Sequence, residues 1–232
     1  MRSLPAPRYY RTMGRLSEVR SRLGRVLPGD RRRHALVGPS EDWVERRAFQ
    51  IEFLRAQGLT PDDRLVDIGC GTLRGGIPLI EYLDAGCYVG IEVRASVLAE
   101  GKKELAKYKL GYKRPELILA DSLAMVEIDG PPFDVAWAFS VLIHMTDSHL
   151  NDCLAFLSEH LSPRGSCFAS ANIGSRNPSR WAEFPVVWRT LEEYGAAAAA
   201  ARLTVESLGP LKDLGYSPPG GDQLMLRFAR SG

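Results

Sequence analysis

The sequence has no CxxC pair. Its four cysteines, Cys70, Cys87, Cys153 and Cys167, stand far apart. That spacing argues against a zinc site and a disulfide framework and leaves reduced thiols as the plain reading; no metal ligand is assigned. No apolar run approaches the roughly 20 residues of a membrane-spanning helix. No apolar segment behind the N-terminus reads as a secretory signal, so a cytoplasmic protein is expected. Net charge is nearly absent too, +2 from 30 basic and 28 acidic residues. What remains is a chain of 232 residues with 45% hydrophobic content, enough for one substantial globular domain with a short extension.

The small net charge hides an asymmetry. Residues 1–33 hold ten arginines against only Glu18 and Asp30, so the rest of the chain is mildly acidic. An arginine-rich, acid-poor leader suits a transit peptide, a membrane-surface helix, a nucleic-acid arm or a plain solvated extension, and these readings stay open. Leu16, Val19, Leu23 and the Val26–Leu27 pair recur at helical spacing, which predicts a short amphipathic helix lying on the main domain or over its cleft. "RRRHALVGPS" reads as a linker. The expected division is a basic, partly helical extension over 1–40 and a folded domain over 41–232.

From Ser40, a candidate N-cap, a helix is expected to run to the neighbourhood of Gly58, with Trp43, Arg47, Gln50–Ile51 and Leu54 on one flank. "RLVDI" then reads as a buried parallel strand. After it come a helix ("GIPLIEYLDAG"), a strand ("CYVGIE"), a helix ("ASVLAEGKKELAKYKLG") and a strand ending at Asp121 ("ELILAD"). A very apolar fourth strand follows ("FDVAWAFSV"), then a helix ("DSHLNDCLAFLSEHLSPRG") and a fifth strand ("GSCFASAN"). The alternation implies parallel βαβ units with helices on both faces. Residues 172–188 read as a long irregular aromatic loop, and about Trp188 to Arg202 as a helix. The last two strand-like segments, "LTVESLG" and "DQLMLRFAR", are separated by Pro218, Pro219, Gly220 and Gly221, which leave no crossover helix. They should therefore pair antiparallel at one end of the sheet.

In open α/β sheets ligands sit beyond the carboxyl ends of the strands. Three features fall there. Gly69 and Gly71 would let backbone approach a ligand in the first turn. Glu92, 25 residues after Asp67, ends the second strand, where a carboxylate accepts from a ribose diol. Asp121 ends the third, where a carboxylate accepts from an exocyclic amine such as that of adenine. Together they point to an adenosine-containing cofactor. A dinucleotide site wants GxGxxG so that the pyrophosphate rests on a helix N-terminus, and here the sixth position is Arg74. A buried acid at Asp67 would repel a pyrophosphate but attract the ammonium and sulfonium of S-adenosylmethionine (SAM).

On "LVDIGCG", "GIE", "ADSL", "AFSVLIHM" and "LSPRGSCFAS" the chain resembles the class I SAM-dependent methyltransferases over roughly residues 41–230. The resemblance implies a Rossmann-like, doubly wound, mostly parallel seven-stranded sheet with an antiparallel last strand. It implies that Asp67, Gly69, Cys70 and Gly71 hold the methionine part of SAM and that Glu92, with Val93 beside it, binds the ribose. Asp121 would bind the adenine amine with the backbone of Ser122 and Leu123, and Phe139, Ser140 and Val141 would flank the methyl group. The family usually reads GxGxG, whereas here Leu73 replaces the last glycine. Arg74 is taken as part of the cofactor set; a charge at the acceptor site and a surface residue are the other readings.

The fourth-strand exit, "FSVLIHM", lacks the Asn/Asp-Pro-Pro-aromatic run of amino-directed nucleic-acid methylases, and no carboxylate cluster suits a catechol-type metal. His144, facing the expected acceptor cleft, is the candidate general base for a sugar or phenolic hydroxyl; packing or helix capping is its structural alternative. His149 and His160 read as surface positions on the next helix. Trp181, Phe184 and Trp188 line an acceptor pocket or form a local cluster. The expected activity is methyl transfer to a small molecule, at an oxygen of a sugar or natural product. An RNA or protein substrate, disfavoured by the acidic body, and a non-catalytic relative are the alternatives.

Overall fold

The computed structural model describes residues 33, 35–38, 41–176 and 179–231. The helix expected over Leu16–Leu27 and the Ser40 cap lie outside the described residues.

The first long helix, α1 (Trp43–Ala56), buries Trp43, Arg46, Arg47, Ala48, Phe49, Gln50, Ile51, Phe53 and Leu54. β1 (Leu65–Ile68), α2 (Gly76–Tyr82), β2 (Tyr88–Glu92), α3 (Ala95–Lys107), β3 (Glu116–Leu119), β4 (Phe133–Ala138) and α4 (Asp147–His160) follow in the expected alternation. β5 (Leu161–Ala171) begins earlier than "GSCFASAN" implies, and α4 correspondingly ends at His160. Pro163 explains the shift. It cannot donate to a helix, and it pushes Ser162 out of the α region.

The stretch expected to be irregular contains a hairpin, β6 (Ser179–Trp181) antiparallel to β7 (Phe184–Val186). Its two-residue turn puts Ala182 at φ 51°, a conformation no sequence rule assigns to alanine. α5 (Leu191–Ala200) starts three residues later than Trp188, because Thr190 and Glu193 close a reciprocal capping box. β8 (Leu203–Pro210) and β9 (Leu224–Arg230) complete the sheet.

Sheet order is β3-β2-β1-β4-β5-β9-β8. β1 to β5 pair in parallel, and β9 lies antiparallel to both β5 and β8. The mostly parallel seven-stranded sheet with an antiparallel last strand is therefore present. Strand side chains alternate between two cores. Val66, Ile68, Ala136 and Ala138 pack with α4 and α5 residues such as Leu154 and Tyr194. Leu65, Val135 and Trp137 pack with α1 and α2 residues such as Phe53 and Leu79. Crossovers run outward from β1 to β3 and then restart at β4. The reversal between β1 and β4 opens a crevice at their carboxyl ends.

Candidate active site

A cavity of about 470 Å³ occupies that crevice. Its floor is the turn after β1. Gly69 and Cys70 donate their amides to the Ile91 carbonyl at 2.8 and 3.0 Å, tying the turn to β2. Gly69 and Gly71 sit at φ +70° and +59°. The space beside them is already filled. A Cβ on Gly69 would lie 2.5 Å from a Val141 methyl, and one on Gly71 would lie 2.9 Å from a Val37 methyl. The glycines thus serve backbone conformation and close side-chain packing as well as access to the cavity.

Leu73 answers for the missing glycine. It keeps the left-handed backbone, at φ 60°, despite its side chain. The side chain is fully buried and packs against Gly76 and Gly101, where a Cβ would come within 2.8 Å and 3.2 Å of it. Room normally left at the third glycine is here supplied by two other glycines.

Two buried carboxylates face the cavity. Asp67 accepts from the Tyr88 hydroxyl at 2.7 Å. Burial, with little opposing charge, raises its pKa from 3.8 to about 7. Glu92 accepts from the Gly71 amide at 2.9 Å through one oxygen and from the Arg94 amide at 3.0 Å through the other. Each oxygen retains a second lone pair for a ligand hydroxyl.

Arg74 also lines the cavity. Burial and the neighbouring Arg46 lower its pKa to about 10. It donates to the Val37 carbonyl at 2.9 Å, and its Nε is buried without a hydrogen-bond partner among the described residues. Arg46 enters from α1, bonded to the Tyr216 hydroxyl and, at 3.0 Å, to the Pro219 carbonyl. Gln223, from the turn before β9, lines the cavity with a buried carbonyl oxygen that has no hydrogen-bond partner among the described residues.

The roof has two parts. One is the end of the leader, a short 3-10 turn (Ala35–Val37) fastened by bonds from Arg74 to Val37 and from Arg94 to Leu36. The other is the β6–β7 hairpin, which hangs Trp181, Phe184 and Val186 over the cavity. Val187 donates to the Ile143 carbonyl at 2.7 Å, pinning the hairpin's end to the turn after β4. His144 lies between these layers, its ring 5.3 Å from Trp181 and 5.8 Å from Phe184. Its Nδ1 is 2.8 Å from the Pro185 carbonyl. A carbonyl only accepts, so Nδ1 carries the proton and Nε2 keeps its lone pair. Burial lowers the His144 pKa and keeps the ring neutral at pH 7; the cation of Arg94 adds to this, while the Pro185 bond opposes it.

Residues 66–167 match the Methyltransferase domain family. The chain carries that match over less than half of its length. It is 27% identical over 126 residues to a probable cobalt-precorrin-6B C(15)-methyltransferase (decarboxylating) of Methanobrevibacter smithii, covering 54% of this chain and 63% of that relative. The chain has the fold of magnesium protoporphyrin IX methyltransferase from Synechocystis, solved with bound SAM. The TM-score is 0.63 at 16% identity, covering 93% of this chain and 96% of that one. A SAM-dependent methyltransferase from Clostridium acetobutylicum superposes with a TM-score of 0.62 at 15% identity, covering 82% and 93%.

Of the residues marked in the sequence, Asp67, Gly69, Cys70, Gly71, Arg74, Glu92, Val93, Phe139, Ser140, Val141 and His144 line one cavity, as do Trp181, Phe184 and Trp188. Ser140 stands at φ 60°, its amide held by the Ser170 hydroxyl at 2.8 Å. Asp121, Ser122 and Leu123 do not line it. β3 ends at Leu119, two residues short of the expected strand end, and Asp121 is exposed. Ser122 instead caps a short turn and bonds Asp152 at 3.0 Å, while Leu123 packs on the core. They stand beyond the cavity wall, at the strand end next to Glu92, whose carbonyl accepts from Ala120 at 3.2 Å.

Sequence reading missed Arg46, Arg94, Asn172, Gln223 and Tyr88. Arg46 left a trace, since a polar residue inside the buried circumference of α1 demands a partner. The others left none, because their roles depend on contacts distant in sequence.

Proposed function

We propose that the protein transfers a methyl group from SAM to a small-molecule acceptor, at a hydroxyl oxygen, through residues 41–232. The observation that carries this reading is the pairing, in one cavity, of two buried carboxylates around a glycine turn with a neutral histidine whose Nε2 is free. The residues fit the cofactor. Asp67 is a buried acid hydrogen-bonded to a neutral hydroxyl, with burial outweighing the attraction of Arg74, and is suited to an ammonium. Glu92 has acceptor capacity left for a ribose diol. The unpaired Nε of Arg74 suits a carboxylate. Val93 is an apolar side chain left 41% exposed at the β2 exit, suited to cover adenine, with Asp121, Ser122 and Leu123 at the neighbouring strand end for its amine. Gly69, Cys70 and Gly71 form the floor, and Phe139 and Ser140 the far wall.

When bound, SAM supplies an electrophilic methyl group on a sulfonium. The chain's own task is to align the acceptor, exclude water and receive a proton; alignment alone is worth on the order of 7–11 kcal/mol in favourable cases. His144 takes the hydroxyl proton at Nε2, with Pro185 holding the tautomer and Trp181 and Phe184 fixing the ring. A roof that covers the cavity with Trp181, Phe184 and Val186 supports a small acceptor, as do the precorrin and porphyrin named for the methyltransferases among its likenesses.

Titration with S-adenosylhomocysteine tests the cofactor reading. Saturable binding is expected, and no binding at millimolar ligand overturns it. Transfer of labelled methyl to a panel of hydroxyl compounds tests the acceptor reading. His144→Gln should lower kcat by about 10²–10⁴ while leaving S-adenosylhomocysteine affinity unchanged. Full activity in that variant removes His144 from the chemistry.

A further inference from the structure

Arg94, two residues past Glu92, touches both the floor and the two parts of the roof. Its Nε lies 3.5 Å from a Glu92 oxygen. Its NH2 donates to the Leu36 carbonyl of the leader at 3.2 Å. Its guanidinium lies 5.5 Å from the Trp181 ring centre and 5.4 Å from that of Phe184. It also stands 3.9 Å from Glu183 in the hairpin turn. Trp181 and Phe184 are the two rings that pack on His144, and Pro185 between β-strand neighbours fixes its tautomer. One planar cation therefore joins the acid at the β2 exit, the leader, and the hairpin that positions the histidine.

Such a group does what a lysine in its place would not. A guanidinium stacks flat on aromatic rings while its edge serves carboxylate and carbonyl acceptors, whereas an ammonium is a point charge. The Nε of Arg94 is buried without a hydrogen bond to any of the described residues. Its guanidinium is thus held to the floor by the charge of Glu92, and to the roof by stacking, one carbonyl and the more distant charge of Glu183.

We propose that Arg94 is a positioning residue that clamps the β6–β7 hairpin and the leader across the cofactor site, so that occupancy beside Glu92 and the placement of His144 are set together. The inference rests on the methyl-transfer reading for what occupies the site. A ligand that draws Glu92 toward itself changes the one charge holding Arg94 to the floor, and the hairpin, with Trp181, Phe184 and His144, follows the guanidinium.

The test uses the full chain with Arg94→Gln and Arg94→Lys, and needs no identified acceptor. Tryptophan emission is followed during titration with S-adenosylhomocysteine, and the Trp181 part is assigned by its loss in Trp181→Phe. The His144 ring is titrated by NMR, assigned by its absence in His144→Gln. Charged groups on the elements around His144 are Arg94 after β2, Arg180 and Glu183 on the hairpin, and the Asp147–Arg189 pair at the start of α4. Only Arg94 among them is altered. In Arg94→Gln the ligand-induced Trp181 change should disappear, and His144 should titrate at higher pH because a neighbouring cation is gone. Arg94→Lys should keep the His144 titration near wild type yet lose most of the Trp181 response. If Arg94→Gln lowers Tm while both signals stay as in wild type, Arg94 is a packing residue and the proposal fails. If the wild type does not bind S-adenosylhomocysteine, the methyl-transfer reading fails instead, and an unmoved His144 titration in Arg94→Gln would sink the clamp separately.

Discussion

The floor and roof of the cavity are built by different means. The floor (Asp67 to Gly71, Glu92, Phe139 and Ser140) hangs on the ends of parallel strands, and backbone pairing fixes each residue. Its turn is bonded to Ile91, and Glu92 is bonded to Gly71. The roof (Leu36 to Gly38 and Ser179 to Val186) is held by side chains and single carbonyls, from Arg74 to Val37, Arg94 to Leu36 and His144 to Pro185. Strand-end geometry is lost only when the sheet is lost, whereas contacts of the roof's kind open locally at lower cost. The floor is thus rigid and the roof adaptable within one cavity, which suits the cofactor and acceptor roles proposed for them.

The largest perturbation of this contrast should come from Glu104, on α3. It is 1% exposed and holds Arg47 of α1 at 3.0 Å and Arg33 of the leader at 2.7 Å. Arg47 is itself fully buried, with further bonds to the Tyr108 hydroxyl and the Arg74 carbonyl at 2.8 and 3.0 Å. Removing one member of a buried pair leaves uncompensated charge, which costs about 3–5 kcal/mol. Urea unfolding of Glu104→Gln should register a loss of that size. A loss below about 1 kcal/mol would mean that the guanidiniums find water, and that floor and leader are not joined through Glu104.

Leu73→Gly should have the next largest effect. Relief of the left-handed backbone gains about 1–2 kcal/mol. The extra freedom of glycine in the unfolded chain takes back about 0.5–1 kcal/mol. Loss of a fully buried leucine costs about 2–5 kcal/mol. Burial wins, so restoring the usual glycine should destabilise the protein by about 2–3 kcal/mol, while S-adenosylhomocysteine affinity stays within about threefold because the turn's conformation is kept. Higher stability in the variant would show that the pocket between Gly76 and Gly101 collapses without cost.

Leu73 also marks how far the sequence could be read. The order of strands, their parallel run and the antiparallel end followed from alternation and from the Pro218–Gly221 interruption. The floor was legible because its residues sit within a short motif or at strand ends, where position follows from the register. What failed was local conformation without a local signal. Pro163 moved a helix end, Thr190 and Glu193 moved a helix start, and the Ala182 turn made a hairpin of an expected loop. Compensation across the chain was equally hidden, since nothing near Leu73 in sequence indicates that Gly101 makes room for it. The roof belongs to this second kind. Arg94 and Trp181 are 87 positions apart, and their contact exists only once the sheet has formed.

The third perturbation, a pH change whose effect on affinity is only about tenfold, isolates the floor. Asp67 has a folded pKa near 7 against 3.8 when exposed. The folded state therefore holds a proton that the unfolded state has released, and stability falls as pH rises from about 4 to about 7. Cofactor binding should run the opposite way. A ligand ammonium pairs with the ionised form, whose population falls from nearly all at pH 8 to about one tenth at pH 6, so S-adenosylhomocysteine affinity should weaken about tenfold across that interval. In Asp67→Asn both slopes should flatten, with affinity uniformly low and stability at pH 8 above that of the wild type. Calorimetric titration and thermal unfolding at the two pH values read both. An affinity that ignores pH in the wild type would place the ammonium elsewhere. A slope that persists in Asp67→Asn would assign it to another group and leave Asp67 as a structural partner of Tyr88.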